Sequence, residues 1–95
     1  MTGKQIYDEL GGNDFAWLSG CTNFVSGANC LLMRLPKNKK GATYLKIESN
    51  DHKTVNFVFF NKTSSKPNQR IDCVYRLAIK TKFAELTGLC TSVAG

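Results

Sequence analysis

The chain has 95 residues, 42% of them hydrophobic and 11% aromatic, which suits one globular domain over residues 1–95 and excludes wholesale disorder. Thirteen Lys and Arg against seven Asp and Glu give a formal charge of +6, which favours anionic partners: nucleic acid or an acidic protein surface. No apolar run approaches the roughly 18 to 20 residues of a membrane-spanning helix, so no membrane role is expected.

Met1-Thr2-Gly3-Lys4-Gln5 leads into an amphipathic pattern rather than an apolar signal core, so a cytoplasmic protein is expected. Thr2 and Gln5 have the spacing of a capping box, and Ile6 and Leu10 share one face of a short helix. Gly11-Gly12 ends it. Phe15-Ala16-Trp17-Leu18 reads as a first strand, followed by turn chemistry at Ser19 to Asn23. Phe24-Val25 is too short to assign.

Leu31 to Phe60 carries the clearest pattern. Leu31, Met33 and Leu35 alternate with Leu32 and Arg34. Leu45 and Ile47 alternate with Tyr44, Lys46 and Glu48, and Val55, Phe57 and Phe59 with Asn56, Val58 and Phe60. A period of two places the two sets on opposite faces of a sheet, so the block reads as an antiparallel meander. Pro36 stops its first strand, because proline cannot donate into a ladder. Lys62 to Gln69 is polar, carries Pro67 and reads as a connector. A last helix is expected from Asp72 as N-cap, with Val74, Leu77, Ala78, Thr81, Ala84 and Glu85 at helical spacing. Tyr75, Ile79, Phe83 and Leu86 form a second stripe beside it, and Gly88 is the stop. The expected fold is α+β: a short N-terminal helix, an antiparallel sheet of three to five strands, and a longer C-terminal helix packed on it.

Cys21, Cys30, Cys73 and Cys90 contain no Cys-x-x-Cys pair, and the lone His52 sits in a polar turn. Structural zinc sites bring ligands in close pairs, so no metal and no cofactor is expected, and the thiols are read as reduced. The seven carboxylates show no catalytic pairing, and a Cys–His couple needs a third group and a cleft. No enzyme is expected.

The functional candidates are basic and aromatic. Lys37, Lys39 and Lys40 lie in one turn, and Arg34 and Lys46 point away from the apolar faces of their strands. Tyr44 and Phe60 share that outward parity. A sheet face carrying Arg34, Tyr44, Lys46 and Phe60 could stack bases and neutralise phosphates, as single-strand binders do. The competing reading is an ordinary half-polar outer surface, or one that the N-terminal helix covers. The same residues suit an acidic protein partner equally well.

Leu10-Gly-Gly-Asn-Asp-Phe15, Ser19-Gly-Cys-Thr-Asn-Phe24, Leu35-Pro-Lys-Asn38 and Leu86-Thr-Gly-Leu-Cys-Thr-Ser92, in this order, resemble a small conserved protein of phages, prophages and mobile elements of bacteria. The resemblance implies a bacterial host cytoplasm and brings no catalytic residue with it. It also implies that Cys21 and Cys90, where relatives commonly carry alanine and tyrosine, hold no disulfide or metal shared across the family.

Overall fold

A computed structural model of the chain describes residues 1–51, 53–61 and 69–89. The capping box at the N-terminus forms: Gln5 N–H donates to Thr2 Oγ1 at 3.2 Å, and Thr2 N–H donates to Gln5 Oε1 at 2.8 Å. These bonds satisfy two donors that a helix start would otherwise leave unpaired. The helix they open, α1 (Gly3–Leu10), buries Ile6 and Leu10. Gly3 itself is wedged against the following hairpin: a Cβ there would collide with the Cys30 carbonyl oxygen. Only glycine fits that approach.

Residues Phe15 to Leu18 are not a strand. They belong to a second helix, α2 (Gly12–Ser19), which buries Phe15 and Ser19 at a spacing of four and leaves Trp17 exposed. Gly11, at φ +124°, closes α1 and opens α2, so the double glycine turns one helix into the next. A run of four apolar residues carries no period long enough to separate helix from strand.

Five strands follow among the described residues: β1 (Thr22–Ser26), β2 (Cys30–Arg34), β3 (Tyr44–Ser49), β4 (Thr54–Phe60) and β5 (Gln69–Tyr75). They pair in chain order, each antiparallel to the next. The meander read from Leu31 to Phe60 is its centre, with Arg34 opposite Tyr44 and Tyr44 opposite Phe60.

Asp72 does not cap a helix. It lies inside β5, and the chain continues as a strand to Tyr75 before a 3-10 turn, Arg76–Ala78, leads into α3 (Ile79–Thr87). The strand supplies β4 with its second neighbour, which explains how all of Val55, Asn56, Phe57, Val58 and Phe59 are buried. Consequently Val74 is a buried strand residue, whereas Tyr75 and Leu77 are 70% and 93% exposed. Within α3, Ile79, Phe83 and Thr87 form the buried stripe, and Gly88 in the left-handed conformation ends it. The polar connector read as Lys62 to Gln69 lies outside the described residues except for Gln69, which starts β5.

The three α-helices of the described residues pack on one face of the sheet. Ile6, Leu10, Phe15, Ile79 and Phe83 share a single core with Leu31, Met33, Leu45, Ile47, Val55, Phe57 and Phe59. Phe15 and Phe83 meet edge to face at 4.9 Å and join α2 to α3. Glu9 and Arg76, 2.7 Å apart, tie α1 to the 3-10 turn. The α+β class is thus met, with two N-terminal helices in place of one.

Candidate functional site

Alternation and register decide what the other face carries. Leu32 and Arg34 of β2, Tyr44, Lys46 and Glu48 of β3, Asn56, Val58 and Phe60 of β4, and Arg70 of β5 have the parity opposite to the core set. Asp72 joins them through its ion pair with Arg70. No described helix packs on this side, so α1 does not cover it. Val58 is buried yet outside the main core. It sits between Lys46 and Arg70 in the register, where their aliphatic stems can shelter it.

Tyr44 and Phe60 are cross-strand partners whose rings stack, with centroids 5.5 Å apart and planes 17° from parallel. Both are half-buried. On the other side of Tyr44, directly across β2, stands the exposed Arg34. Lys46 follows one step along the same face. Sequence parity therefore placed Arg34, Tyr44, Lys46 and Phe60 together, and the register brings them together.

The three loop lysines separate. Asn38 holds the loop: its Nδ2 donates to the Pro36 and Ala42 carbonyls at 2.7 and 2.8 Å, and its Oδ1 accepts from Lys40 N–H at 3.0 Å. Lys37 is exposed beside Arg34, and the two help line a shallow depression of about 340 Å³ with Asn38, Gly41 and Thr43. Lys40 is half-buried, its backbone fixed to Asn38. Lys39 turns to the helix layer: its N–H donates to the Thr87 carbonyl at 3.0 Å, and its stem lies against Gly88 at the end of α3. A cation there complements the negative end of the helix dipole.

The far end of the face is mixed in sign. Arg70 bridges Asp72 at 2.7 Å and Glu48 at 3.3 Å. The hydrogen bond to Asp72, with weaker help from Glu48, pushes the Arg70 pKa above its ordinary value. Sequence reasoning missed Arg70 as part of the face, although Arg70-Ile71-Asp72 shows the period of two that marks a strand. With that pair accounted for, Arg34 and Lys46, which form no ion pair among the described residues, are the cations of the face that lie toward the loop end.

Among the described residues no group of three His, Cys, Asp or Glu side chains is placed to hold a metal ion. Cys21, Cys30 and Cys73 are free thiols; Cys90 and His52 lie outside the described residues. Burial pushes the Cys21 thiol pKa up, partly opposed by its contact with Ser19. No described helix is long and apolar enough to cross a membrane.

Fold and site together define a class: a five-stranded antiparallel meander with helices on one face and an aromatic, cationic surface on the other. No protein-family model matches the chain, and no match is found among curated proteins or solved structures.

Proposed function

We propose that this protein is a non-enzymatic nucleic-acid-binding module of a phage or mobile element, working in a bacterial host cytoplasm. The phage context rests on the motif resemblance alone. The binding reading rests on one observation: the sheet face opposite the helices presents the stacked Tyr44–Phe60 pair flanked by Arg34 and Lys46. Cations beside aromatic rings on an open sheet supply both phosphate neutralisation and base stacking. Lys37 and Lys40 extend the surface at its loop end, whereas Lys39 belongs to the α3 cap. Titration of fluorescent single- and double-stranded DNA and RNA at low salt tests the reading. Absence of binding to all four removes it.

A second reading has its own support. Tyr75, the last residue of the outer strand β5, and Leu77, in the turn that follows, are large, apolar and exposed. Such residues suit a protein-interaction module, for example one that modulates a host enzyme or defence complex, with the basic surface that carries Arg34, Lys37 and Lys46 meeting an acidic patch on the partner. Capture of a host protein that survives nuclease treatment would favour it.

A further inference from the structure

The depression at the β2–β3 loop has features that the open sheet alone does not require. Its two cations, Arg34 and Lys37, form no ion pair among the described residues, in contrast to Arg70, Arg76 and Lys82. Its base is apolar, since Leu35 and Ala42 are buried. Its walls are fixed before any ligand arrives. Leu35 N–H donates to the Thr43 carbonyl at 2.7 Å, and Thr43 donates from its N–H and hydroxyl to Asn61 Oδ1 at 2.9 and 2.7 Å. Asn38 spends its side-chain amide on the loop itself. A recess whose backbone is already fixed, with two exposed cations that form no ion pair among the described residues, is suited to an anion at a reduced ordering cost.

Its position narrows the anion. Arg34 both lines the recess and stands opposite Tyr44, and Thr43 is the residue before Tyr44. Tyr44 does not line the recess itself but stands across from Arg34 in the register, so the sheet face leads from the recess past the Tyr44 ring toward Lys46. The recess is lined by Arg34, the last residue of β2, and by loop residues up to Thr43, so it lies at the loop end of the sheet face, where a polynucleotide strand laid along that face would reach its limit.

We propose that this recess binds the terminal phosphate monoester of a single-stranded nucleic acid, with the end nucleotide's base against Tyr44. The proposal rests on the nucleic-acid reading and names the end of the strand as its preferred feature. A terminal monoester carries a charge of about −1.5 to −2 at pH 7, because its second pKa is about 6. An internal diester carries −1. Two cations lining one recess favour the dianion over a monoanion, and the planar arginine fork can engage two of its oxygens at once.

The test uses the full chain and three oligonucleotides of one sequence: 5′-phosphorylated, 3′-phosphorylated and unphosphorylated. Anisotropy at moderate salt and pH 7.5 should show one phosphorylated form binding about tenfold more tightly, the worth of one charge-assisted hydrogen bond. The two phosphorylated arms identify which end is read. Arg34→Gln and Lys37→Gln together should abolish the preference, while Lys46→Gln should weaken all three ligands alike. The preference should also shrink as pH falls below about 6, where the monoester loses its second charge. Equal affinity for the three ligands would overturn the end-recognition proposal and leave the nucleic-acid reading standing. Failure of all three to bind would overturn both.

Discussion

Asn56 Oδ1 accepts the backbone N–H of Cys73 at 3.1 Å, and this contact repairs the sheet where its ladder breaks. Between Val55↔Val74 and Phe57↔Ile71 the register shifts, so Asp72 and Cys73 together face Asn56. Cys73 takes a φ of +58°, a conformation uncommon outside glycine. A bulge of this kind leaves backbone groups without ladder partners. Asn56, buried at 7% exposure, supplies an acceptor and is itself held by reciprocal 2.8 Å bonds with Asn50.

Asn56→Ala should therefore destabilise the protein by about 1 to 3 kcal/mol, the cost of leaving buried polar groups unpaired. In urea the midpoint should fall with little change in slope. An unchanged midpoint would mean that the bulge is held by something other than this side chain.

The same bulge explains why the sequence of the C-terminal third reads as helix from Asp72 although the chain there is a strand. It places Ile71 and Val74 on the core side at a spacing of three, which imitates a helical stripe. Asp72, beside that spacing, then looks like a cap. Ile79, Phe83 and Leu86 did carry a real helical period, so the helix was legible and its start was not. In the centre of the chain nothing interrupts the alternation, and the strands and their faces follow from it directly. The site shares this division. Arg34, Tyr44, Lys46 and Phe60 were legible because parity fixes a strand residue's face. Lys39 was not, because its direction depends on a hydrogen bond to Thr87, forty-eight positions away.

Two substitutions separate core from surface on the corrected strands. Phe57 is fully buried at the centre of the sheet, and Phe57→Ala should cost about 3 to 5 kcal/mol. Asp72 is an exposed strand residue paired with Arg70, and Asp72→Ala should cost no more than about 1 kcal/mol, the range of surface ion pairs. Denaturant unfolding of both variants checks this. A larger loss for Asp72→Ala than for Phe57→Ala would contradict the placement of both.

Thiol reactivity reads the packing of the corner between α2 and β1. Cys73 is exposed, Cys30 is half-buried, and Cys21 is buried with its pKa raised by that burial. Among the three described thiols, alkylation of native protein near pH 8, mapped by mass spectrometry, should modify Cys73 first and Cys21 last, since the thiolate is the reactive form. The raised pKa also carries a stability consequence. The neutral Cys21 thiol stabilises the fold fully below its ordinary value of 9.0, and that contribution is lost as pH rises through the higher folded value. Cys21→Ala should therefore flatten the decline in stability at alkaline pH. Labelling of Cys21 as fast as Cys73 would show that the corner is open.

The binding face makes a prediction about salt that distinguishes lysines lying in one loop. Each phosphate contact contributes a slope of about −0.7 to −0.9 to the logarithm of affinity against the logarithm of salt. Arg34→Gln, Lys37→Gln and Lys46→Gln should each flatten that slope by about one contact on the same rule. Lys39→Gln should leave it unchanged, because the Lys39 stem lies against Gly88 on the helix side. Tyr44→Ala should weaken single-strand binding by about 1 to 3 kcal/mol if a base stacks on the ring. Since Tyr44 also stacks on Phe60, its variant needs a parallel unfolding curve, and Tyr44→Phe, which keeps the ring, should bind like the parent. If Lys39→Gln flattened the slope as much as Lys37→Gln, the charged loop would be acting as a diffuse cloud rather than through an oriented face. The assignment of binding to the Arg34–Tyr44–Lys46 surface would then fail.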